Sequence, residues 1–160
     1  MPRIEGARFL DLCAGSGAVG IEALSRGATH ATFVDRARNM CGIIEANLDN
    51  LSVPEDESEV VCGEAAEFLV RATKRAGHRP WNVVFFDPPY SAKYEPALER
   101  IAAGSVLTRD GLLVVEHFHK HKLPDQFDAL RRTRVLRQGD SCLSFYEFVG
   151  STDVPSARRA

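Results

Sequence analysis

The stretch Trp81-Asn82-Val83-Val84-Phe85-Phe86-Asp87-Pro88-Pro89-Tyr90 is a short apolar run that ends in an acid, two prolines and an aromatic residue. An apolar run of this length, followed by turn residues, is typical of a strand buried on both faces of a parallel sheet. Proline lacks an amide hydrogen and fixes φ, so the strand must end at Asp87. We therefore expect Asp87 at the carboxyl end of a central strand, where open α/β sheets bind their ligands.

The turn after this strand suits the binding of a flat group with an exocyclic amine. The carboxylate of Asp87 and the carbonyl of Pro88 can accept hydrogen bonds, and the ring of Tyr90 can stack on a base. A strand followed by a tight turn with no further role is the alternative. The residues that precede the stretch favour the functional interpretation.

The rest of the chain predicts an α/β sheet around this strand. Four more apolar runs are expected to be strands, at 9–13, 30–34, 59–62 and 112–116. Helical apolar spacing occurs between them, with Gly27 as the C′ residue of the first helix and Met40, Ile44, Leu48 and Leu51 on the inner face of the second. Alternating strands and helices predict a parallel, doubly wound sheet.

The C-terminal part has a different pattern. Residues 132–138 and 142–148 form two extended runs joined by Gly139-Asp140-Ser141, which predicts a hairpin. The whole is therefore expected to be an α/β, Rossmann-like domain with a mostly parallel doubly wound sheet and an antiparallel C-terminal hairpin. The domain is expected over 1–150, with 151–160 as a frayed tail.

Composition limits the classes of function. The 160 residues are 44% apolar and 26% charged, as in ordinary globular proteins, and no apolar run approaches the length of a membrane span. The net charge of −2 does not by itself predict a nucleic-acid partner. The four cysteines lack metal-ligand spacing, which predicts buried thiols, no metal site and a cytoplasmic location.

A glycine-rich loop predicts a nucleoside-containing ligand. Gly15-Ser16-Gly17-Ala18-Val19-Gly20 satisfies the G-x-G-x-x-G pattern, and Asp35 follows twenty residues after Gly15, as in dinucleotide-binding folds. S-adenosylmethionine presents the same adenosine, so the pattern leaves both cofactors open. Asp11 favours the second, because an acid there would repel pyrophosphate and can hold an ammonium group.

Each acid also has a simpler interpretation. Asp11 can cap a helix, Asp35 can be a surface acid at a strand end, and Glu64 can complement a helix dipole rather than contact adenine.

Three segments together carry a family resemblance. The run Asp11-x-Cys-Ala-Gly-Ser-Gly-Ala-Val-Gly-Ile-Glu-Ala-Leu-Ser-Arg-Gly-Ala, then Phe-Val-Asp-Arg, and finally Asp-Pro-Pro-Tyr resemble the bacterial 16S ribosomal RNA guanine-N2 methyltransferases of the RsmD type. The resemblance extends from about Gly6 to Phe148. Asp-Pro-Pro-Tyr is shared with DNA adenine and other amino methyltransferases, whereas the glycine-containing run is more specific.

The resemblance implies a class I methyltransferase fold and S-adenosylmethionine as cofactor. It implies action on 16S ribosomal RNA or on the assembling small ribosomal subunit, with no metal and no membrane partner. We expect a monomer. The resemblance implies a catalytic turn at Asp87, Pro88, Pro89 and Tyr90. The implied cofactor contacts are Asp11, Ala14, Gly15, Ser16, Gly17, Asp35, Arg36, Glu64, Ala65 and Asp87.

The chain departs from the family pattern in two places. Cys13 stands where the family usually has an aromatic residue, and the family has several dozen further N-terminal residues that form a basic arm with an Arg-Pro-Thr motif. Without that arm, the basic segment 117–122 is the best candidate for RNA contact, ahead of 71–79 and 131–137. We expect the chain to fold and to bind cofactor alone but to methylate a ribosomal substrate poorly.

Three other functions remain open at this point. The glycines permit an NAD-binding oxidoreductase, although no second domain supplies a substrate site. A catalytically silent RNA-binding module is a second alternative, against which the intact Asp87 turn argues. A DNA or RNA adenine-N6 methyltransferase is the third, but a DNA enzyme would normally carry an added target-recognition region.

Overall fold

The computed structural model describes residues 3–150, so the tail expected at 151–160 lies outside the described residues. In chain order the elements are β1 Arg8–Leu12, α1 Ala18–Ser25, β2 His30–Asp35, α2 Arg38–Asn50, a 3₁₀ helix Glu55–Glu57, β3 Ser58–Cys62, α3 Ala65–Lys74, β4 Trp81–Phe86, α4 Glu95–Ala102, β5 Leu107–Phe118, β6 Gln126–Phe127, β7 Leu130–Gln138 and β8 Ser141–Phe148.

One sheet contains all eight strands, in the order β3-β2-β1-β4-β5-β8-β7-β6. The first five pair in parallel, and the C-terminal strands pair antiparallel, with β8 between β5 and β7. The expected fold class is therefore confirmed. The strand order reverses between β1 and β4, which places a ligand-binding crevice at the carboxyl ends of these two strands.

Two apolar layers pack on opposite faces of this sheet. Because side chains alternate along a strand, Leu10 and Leu12 of β1 face α3 and α4, whereas Phe9 faces α1 and α2. Phe33 and Ile44 lie in the second layer and are fully buried. The glycine-rich loop therefore follows directly from a strand that is fixed on both faces.

The structure corrects three expectations from the sequence. In α2 the buried residue of the first turn is Cys41 rather than Met40, and Leu51 is 59% exposed because the helix ends before it. All four cysteines are free, but Cys62 is exposed and Cys13 only half-buried, so the expectation of four buried thiols was wrong.

The third correction concerns β5. The apolar pattern predicted residues 112–116, yet the strand begins at Leu107, which pairs with Trp81 of β4. It continues to Phe118 because His117 and Phe118 pair with Cys142 and Ser141 of β8. The segment expected to be a basic loop therefore begins as strand.

Replacing Gly20 by alanine is expected to lower the free energy of unfolding by ~1–3 kcal/mol, as overpacking does in a filled core. A Cβ at Gly20 would lie 2.4 Å from the Phe33 ring, so α1 could not approach β2 as closely. The matched control is Gly42→Ala in α2, where a Cβ meets nothing within 4 Å and a gain of ~0.5–1 kcal/mol is expected. Chemical denaturation should separate the two variants, and equal stabilities would contradict this packing.

Candidate active site

The turn between β1 and α1 uses the left-handed region of backbone conformation three times. Cys13, Gly15 and Gly17 have φ values of 64°, 59° and 84°. Gly17 is the N-cap of α1, and a Cβ there would lie 3.2 Å from Ile44. The Ala14 amide donates to the carbonyl of Val34 at 2.9 Å, which ties the turn to β2. The loop therefore leads into α1 beside the crevice, and Gly17 has little room for a larger residue, whereas a Cβ at Gly15 would meet nothing within 4 Å.

Asp11 lies beneath this turn and is 1% exposed. Its Oδ2 accepts a hydrogen bond from the Gly20 amide at 3.0 Å, so one carboxylate oxygen satisfies a free amide in the first turn of α1. Burial raises the pKa of Asp11 to about 7, with smaller contributions from Asp87 and Asp35, while the Gly20 hydrogen bond opposes the shift. The helix-capping interpretation therefore accounts for Oδ2 of Asp11. A contact between Asp11 and a ligand stays a prediction.

Asp35 at the end of β2 joins the glycine turn to α2. Its Oδ2 accepts from the Gly15 amide and its Oδ1 from the Ala37 amide, both at 2.9 Å. Each carboxylate oxygen has a second lone pair, so these bonds fix the orientation of the group and leave it able to accept from hydroxyls.

A cleft of about 410 Å³ opens at the carboxyl ends of β1 to β4, beside the start of α3 and the 88–97 segment. Its volume is that of a site for a nucleoside-sized ligand. Six of the residues expected from the sequence line it: Asp35, Arg36, Glu64, Ala65, Pro88 and Pro89. The others do not line it: Asp11, Ala14, Gly15, Ser16, Gly17, Asp87 and Tyr90.

Asp87 is positioned by the sheet itself. Its amide donates to the carbonyl of Leu12 at 3.3 Å, which extends the pairing of β4 with β1 by one residue. Burial raises the pKa of Asp87 to about 6, and the charge of Glu116 adds to the shift. Pro88 is buried, whereas Tyr90 is 62% exposed beside the crevice.

Two residues of this site were missed by the sequence analysis. Glu116 follows Val115, which pairs with Phe86, so Glu116 and Asp87 continue adjacent parallel strands. The ring of Phe118 lies 5.5 Å from the ring of Tyr90. The only signal for either was the length of β5, which depends on pairing with β8 rather than on apolar periodicity.

A third missed residue is Tyr94, which is 1% exposed. Its hydroxyl has no hydrogen-bond partner within residues 3–150, and burial, followed by the charge of Asp87, raises its pKa to about 12. Buried polar groups are normally satisfied, so this hydroxyl near Asp87 is an exception, although Tyr94 itself does not line the cleft.

The basic segment after β5 is smaller than expected. His117 is buried, and its Nε2 lies 2.8 Å from the hydroxyl oxygen of Ser144, so it is unavailable to RNA. Its Nδ1 lies 3.1 Å from the carbonyls of Phe118 and His121, and burial lowers its pKa. Lys120 and Lys122 are exposed.

Residues 1–147 match the model of a protein family described as "Conserved hypothetical protein 95". The chain belongs to this family. It is 37% identical over 147 residues to the "Putative rRNA methyltransferase YlbH" of Bacillus subtilis. This alignment covers 91% of this chain and 78% of that protein. It is 34% identical over 124 residues to "Ribosomal RNA small subunit methyltransferase D" of Escherichia coli. This alignment covers 77% of this chain and 59% of that protein.

Solved structures share the fold. "Putative methyltransferase yhhF from Escherichia coli" aligns with a TM-score of 0.79 at 31% identity, over 92% of this chain and 78% of that one. This agreement identifies the Rossmann-like domain as a class I methyltransferase fold. Within residues 3–150, no group of three or more His, Cys, Asp or Glu side chains could hold a metal ion, and no helix is long and apolar enough to cross a membrane.

The buried carboxylate of Asp11 predicts a pH-dependent stability. Its folded-state pKa of about 7 lies above the ordinary value of 3.8, so its contribution is complete below pH ~4 and is lost as the pH rises through 7. Asp11→Asn keeps an oxygen that can accept from the Gly20 amide. Because asparagine does not ionise, the variant does not lose stability in this way as the pH rises. We expect the variant to gain in free energy of unfolding relative to the native chain between pH 4 and pH 8. Parallel pH curves would contradict the burial effect, and the exposed Asp49→Asn is the control.

Proposed function

We propose that this chain is an S-adenosylmethionine-dependent methyltransferase that acts on the exocyclic N2 amine of a guanine in 16S ribosomal RNA. The observation that carries the proposal is the position of Asp87, which is held at the carboxyl end of β4 beside the cleft and next to Glu116 and two aromatic rings. Family membership and the names of the relatives support the reaction class.

The charges around the glycine turn fit this cofactor better than NAD. Burial raises the pKa of the Cys13 thiol to about 12, and the charges of four nearby carboxylates add to the shift: Asp35, Asp87, Glu64 and Asp11. A ring of acids suits a ligand with an ammonium and a sulfonium group and disfavours a pyrophosphate. Asp35 and Glu64 line the cleft and would hold the adenosine, with Asp11 nearest the glycine turn. When bound, S-adenosylmethionine supplies an electrophilic methyl group.

Asp87 and Pro88 would prepare the target amine. The lone pair of an exocyclic guanine amine is delocalised into the ring, so the amine is a weak nucleophile. Its two N–H groups would donate to the Asp87 carboxylate and to the Pro88 carbonyl, which favours a pyramidal nitrogen and fixes its direction. With a pKa of about 6, the Asp87 carboxylate is mostly ionised at pH 7 yet is basic enough to accept a proton from the methylated nitrogen.

Tyr90 and Phe118 would hold the base outside its helix. Their rings lie 5.5 Å apart at an interplanar angle of 45°, and Tyr90 is exposed to an incoming strand. Stacking of a base on an aromatic side chain stabilises a complex by ~1–3 kcal/mol without reading its sequence.

Glu116 supports guanine over adenine as the target. On guanine, the N2 amine stands beside the N1–H donor, whereas the N6 amine of adenine stands beside an N1 acceptor. A second carboxylate next to Asp87 can accept from N1–H and would repel an acceptor. The adenine-N6 alternative lacks this complementarity.

The names of the relatives support the choice of RNA. The proposal includes 16S ribosomal RNA, free or in an assembling small subunit, as substrate, and a cytoplasmic monomer as the active form. The direct experiment offers methyl-labelled S-adenosylmethionine with 16S ribosomal RNA, small subunits or duplex DNA. Incorporation into the ribosomal substrates alone is expected. RNA binding without transfer would contradict the proposal in favour of a silent module.

Asp35→Ala is expected to weaken cofactor binding by ~1.5–3 kcal/mol, the size of a charge-assisted hydrogen bond with its unsatisfied partner. The variant also frees the Gly15 amide that Asp35 now holds. Titration calorimetry with S-adenosylhomocysteine measures the loss, and Glu45→Ala on the exposed side of α2 is the control. An unchanged affinity for Asp35→Ala would remove Asp35 from the cofactor site.

A further inference from the structure

A second, basic cleft lies at the opposite end of the sheet. It has a volume of about 180 Å³ and forms where the amino ends of β1, β2 and β4 meet the end of α3. Eight residues with charged, titratable or aromatic side chains line it: Arg8, His30, Glu59, Phe68, Arg75, His78, Arg79 and Trp81. Trp81 is the first of the six residues of β4 and Asp87 follows the last, so the two lie about 20 Å apart at a rise of ~3.3 Å per residue. The cleft is therefore separate from the crevice that contains Asp87.

The charges of this cleft are not balanced. Arg75 pairs with Glu59 at 3.7 Å, and this is the one carboxylate in the lining of the cleft, against the three arginines Arg8, Arg75 and Arg79. The Nε of Arg8 donates to the carbonyl of Pro80 at 3.4 Å, and Arg79 has no hydrogen bond or ion pair in the described part of the chain. Burial and then the charge of Arg79 lower the pKa of Arg8, while the charge of Glu59 opposes the shift. The two guanidinium groups therefore lie close enough to repel each other.

His30 provides a second observation. Its Nδ1 is buried and has no hydrogen-bond partner among residues 3–150. Buried polar atoms are normally satisfied, and the exceptions need a ligand, a water molecule or a functional reason. Two arginines whose charges repel each other and a histidine with an unsatisfied ring nitrogen therefore line the same cavity, in a chain whose net charge is −2.

We propose that this cleft is a phosphate-binding site, built by Arg8 and Arg79 with His30 in its lining. Guanidinium groups present paired N–H donors that match the oxygens of a phosphate, and a bound anion removes their mutual repulsion. The cavity has room for one phosphate group with part of an attached sugar. The bound group is either a free phosphate or a phosphodiester of a bound RNA strand. In the second case alone, loss of the site also weakens RNA binding.

Trp81 is the only tryptophan of the chain and lines the cleft, so its fluorescence reports on occupancy. Inorganic phosphate is expected to change the Trp81 emission saturably, and Arg8→Gln/Arg79→Gln to weaken this binding at least tenfold. Thermal unfolding shows that the variant folds, and phosphate should raise the melting temperature of the native chain more than that of the variant. Arg26→Gln on α1 is the control, because Arg26 pairs with Glu22 outside the cleft.

An RNA titration in phosphate-free buffer identifies the source. If the site holds an RNA phosphodiester, the double variant binds RNA several-fold more weakly, and its salt slope falls by ~0.7–0.9 for each lost contact. Unchanged RNA binding with a lost phosphate response assigns the site to free phosphate. The proposal is overturned if neither response differs from the native chain, or if Arg26→Gln lowers both equally. Methyl transfer is measured separately, so this result does not depend on the function of the Asp87 site.

Discussion

Asp87→Asn is expected to lower the rate of methyl transfer by about 10³-fold while cofactor affinity changes by no more than a few-fold. The substitution keeps the size of the side chain but removes the negative charge that orients the amine and accepts its proton. Asp87 does not line the cleft that would hold the adenosine, so binding and chemistry should separate. Single-turnover assays with saturating cofactor measure the rate of methyl transfer, and titration calorimetry measures the affinity for the cofactor.

The matched control for this experiment is Asp110→Asn. Asp110 is an exposed aspartate near the beginning of β5, at the far end of the strand from Glu116. The rate of methyl transfer by the Asp110→Asn variant should equal that of the native chain. Loss of cofactor binding together with methyl transfer in Asp87→Asn would mean that Asp87 serves the cofactor rather than the target amine.

Glu116→Gln is expected to change which base is accepted. Loss of a charge-assisted hydrogen bond to N1–H should slow guanine methylation by ~10–100-fold, equivalent to ~1.5–3 kcal/mol. An RNA with 2-aminopurine at the target position keeps the N2 amine but has an N1 acceptor. The native chain should strongly prefer guanine, and Glu116→Gln should reduce this preference because the glutamine amide can donate to N1.

A selectivity ratio that Glu116→Gln leaves unchanged would contradict this role, even if both rates fall. Glu147→Gln on β8 is a suitable control, because Glu147 lies on the neighbouring strand and pairs with Arg3 rather than with the site. Its selectivity ratio should match that of the native chain.

The sequence predicted the parallel part of the fold because its signals are local. The strand over 81–86 ends at Asp87 as the two prolines require, and the observed β4 has the same bounds. Gly27 is the C′ residue of α1, with a φ of 104°, and its amide donates to the carbonyl of Leu24 at 3.1 Å. Such features depend on the residue itself and its chain neighbours.

Long-range pairing was not predictable in the same way. β5 extends past its apolar run because β8 pairs with it, and this extension buries His117 and brings Glu116 and Phe118 towards Asp87. The local partners of Asp11 and Asp35 were also hidden, since each accepts an amide from a residue that only the fold brings close. The residue types of the site were therefore visible in the sequence, whereas its second carboxylate and its aromatic pair needed the sheet.

The most direct measurement of the central claim is nucleoside mass spectrometry of 16S ribosomal RNA after reaction with the chain and S-adenosylmethionine. The RNA should come from cells that lack this gene, so that the target is unmodified. We expect N2-methylguanosine at one position, and we expect it to be absent when Asp87→Asn replaces the native chain. Methylation found on adenine N6, or methyl transfer that persists in Asp87→Asn, would contradict it.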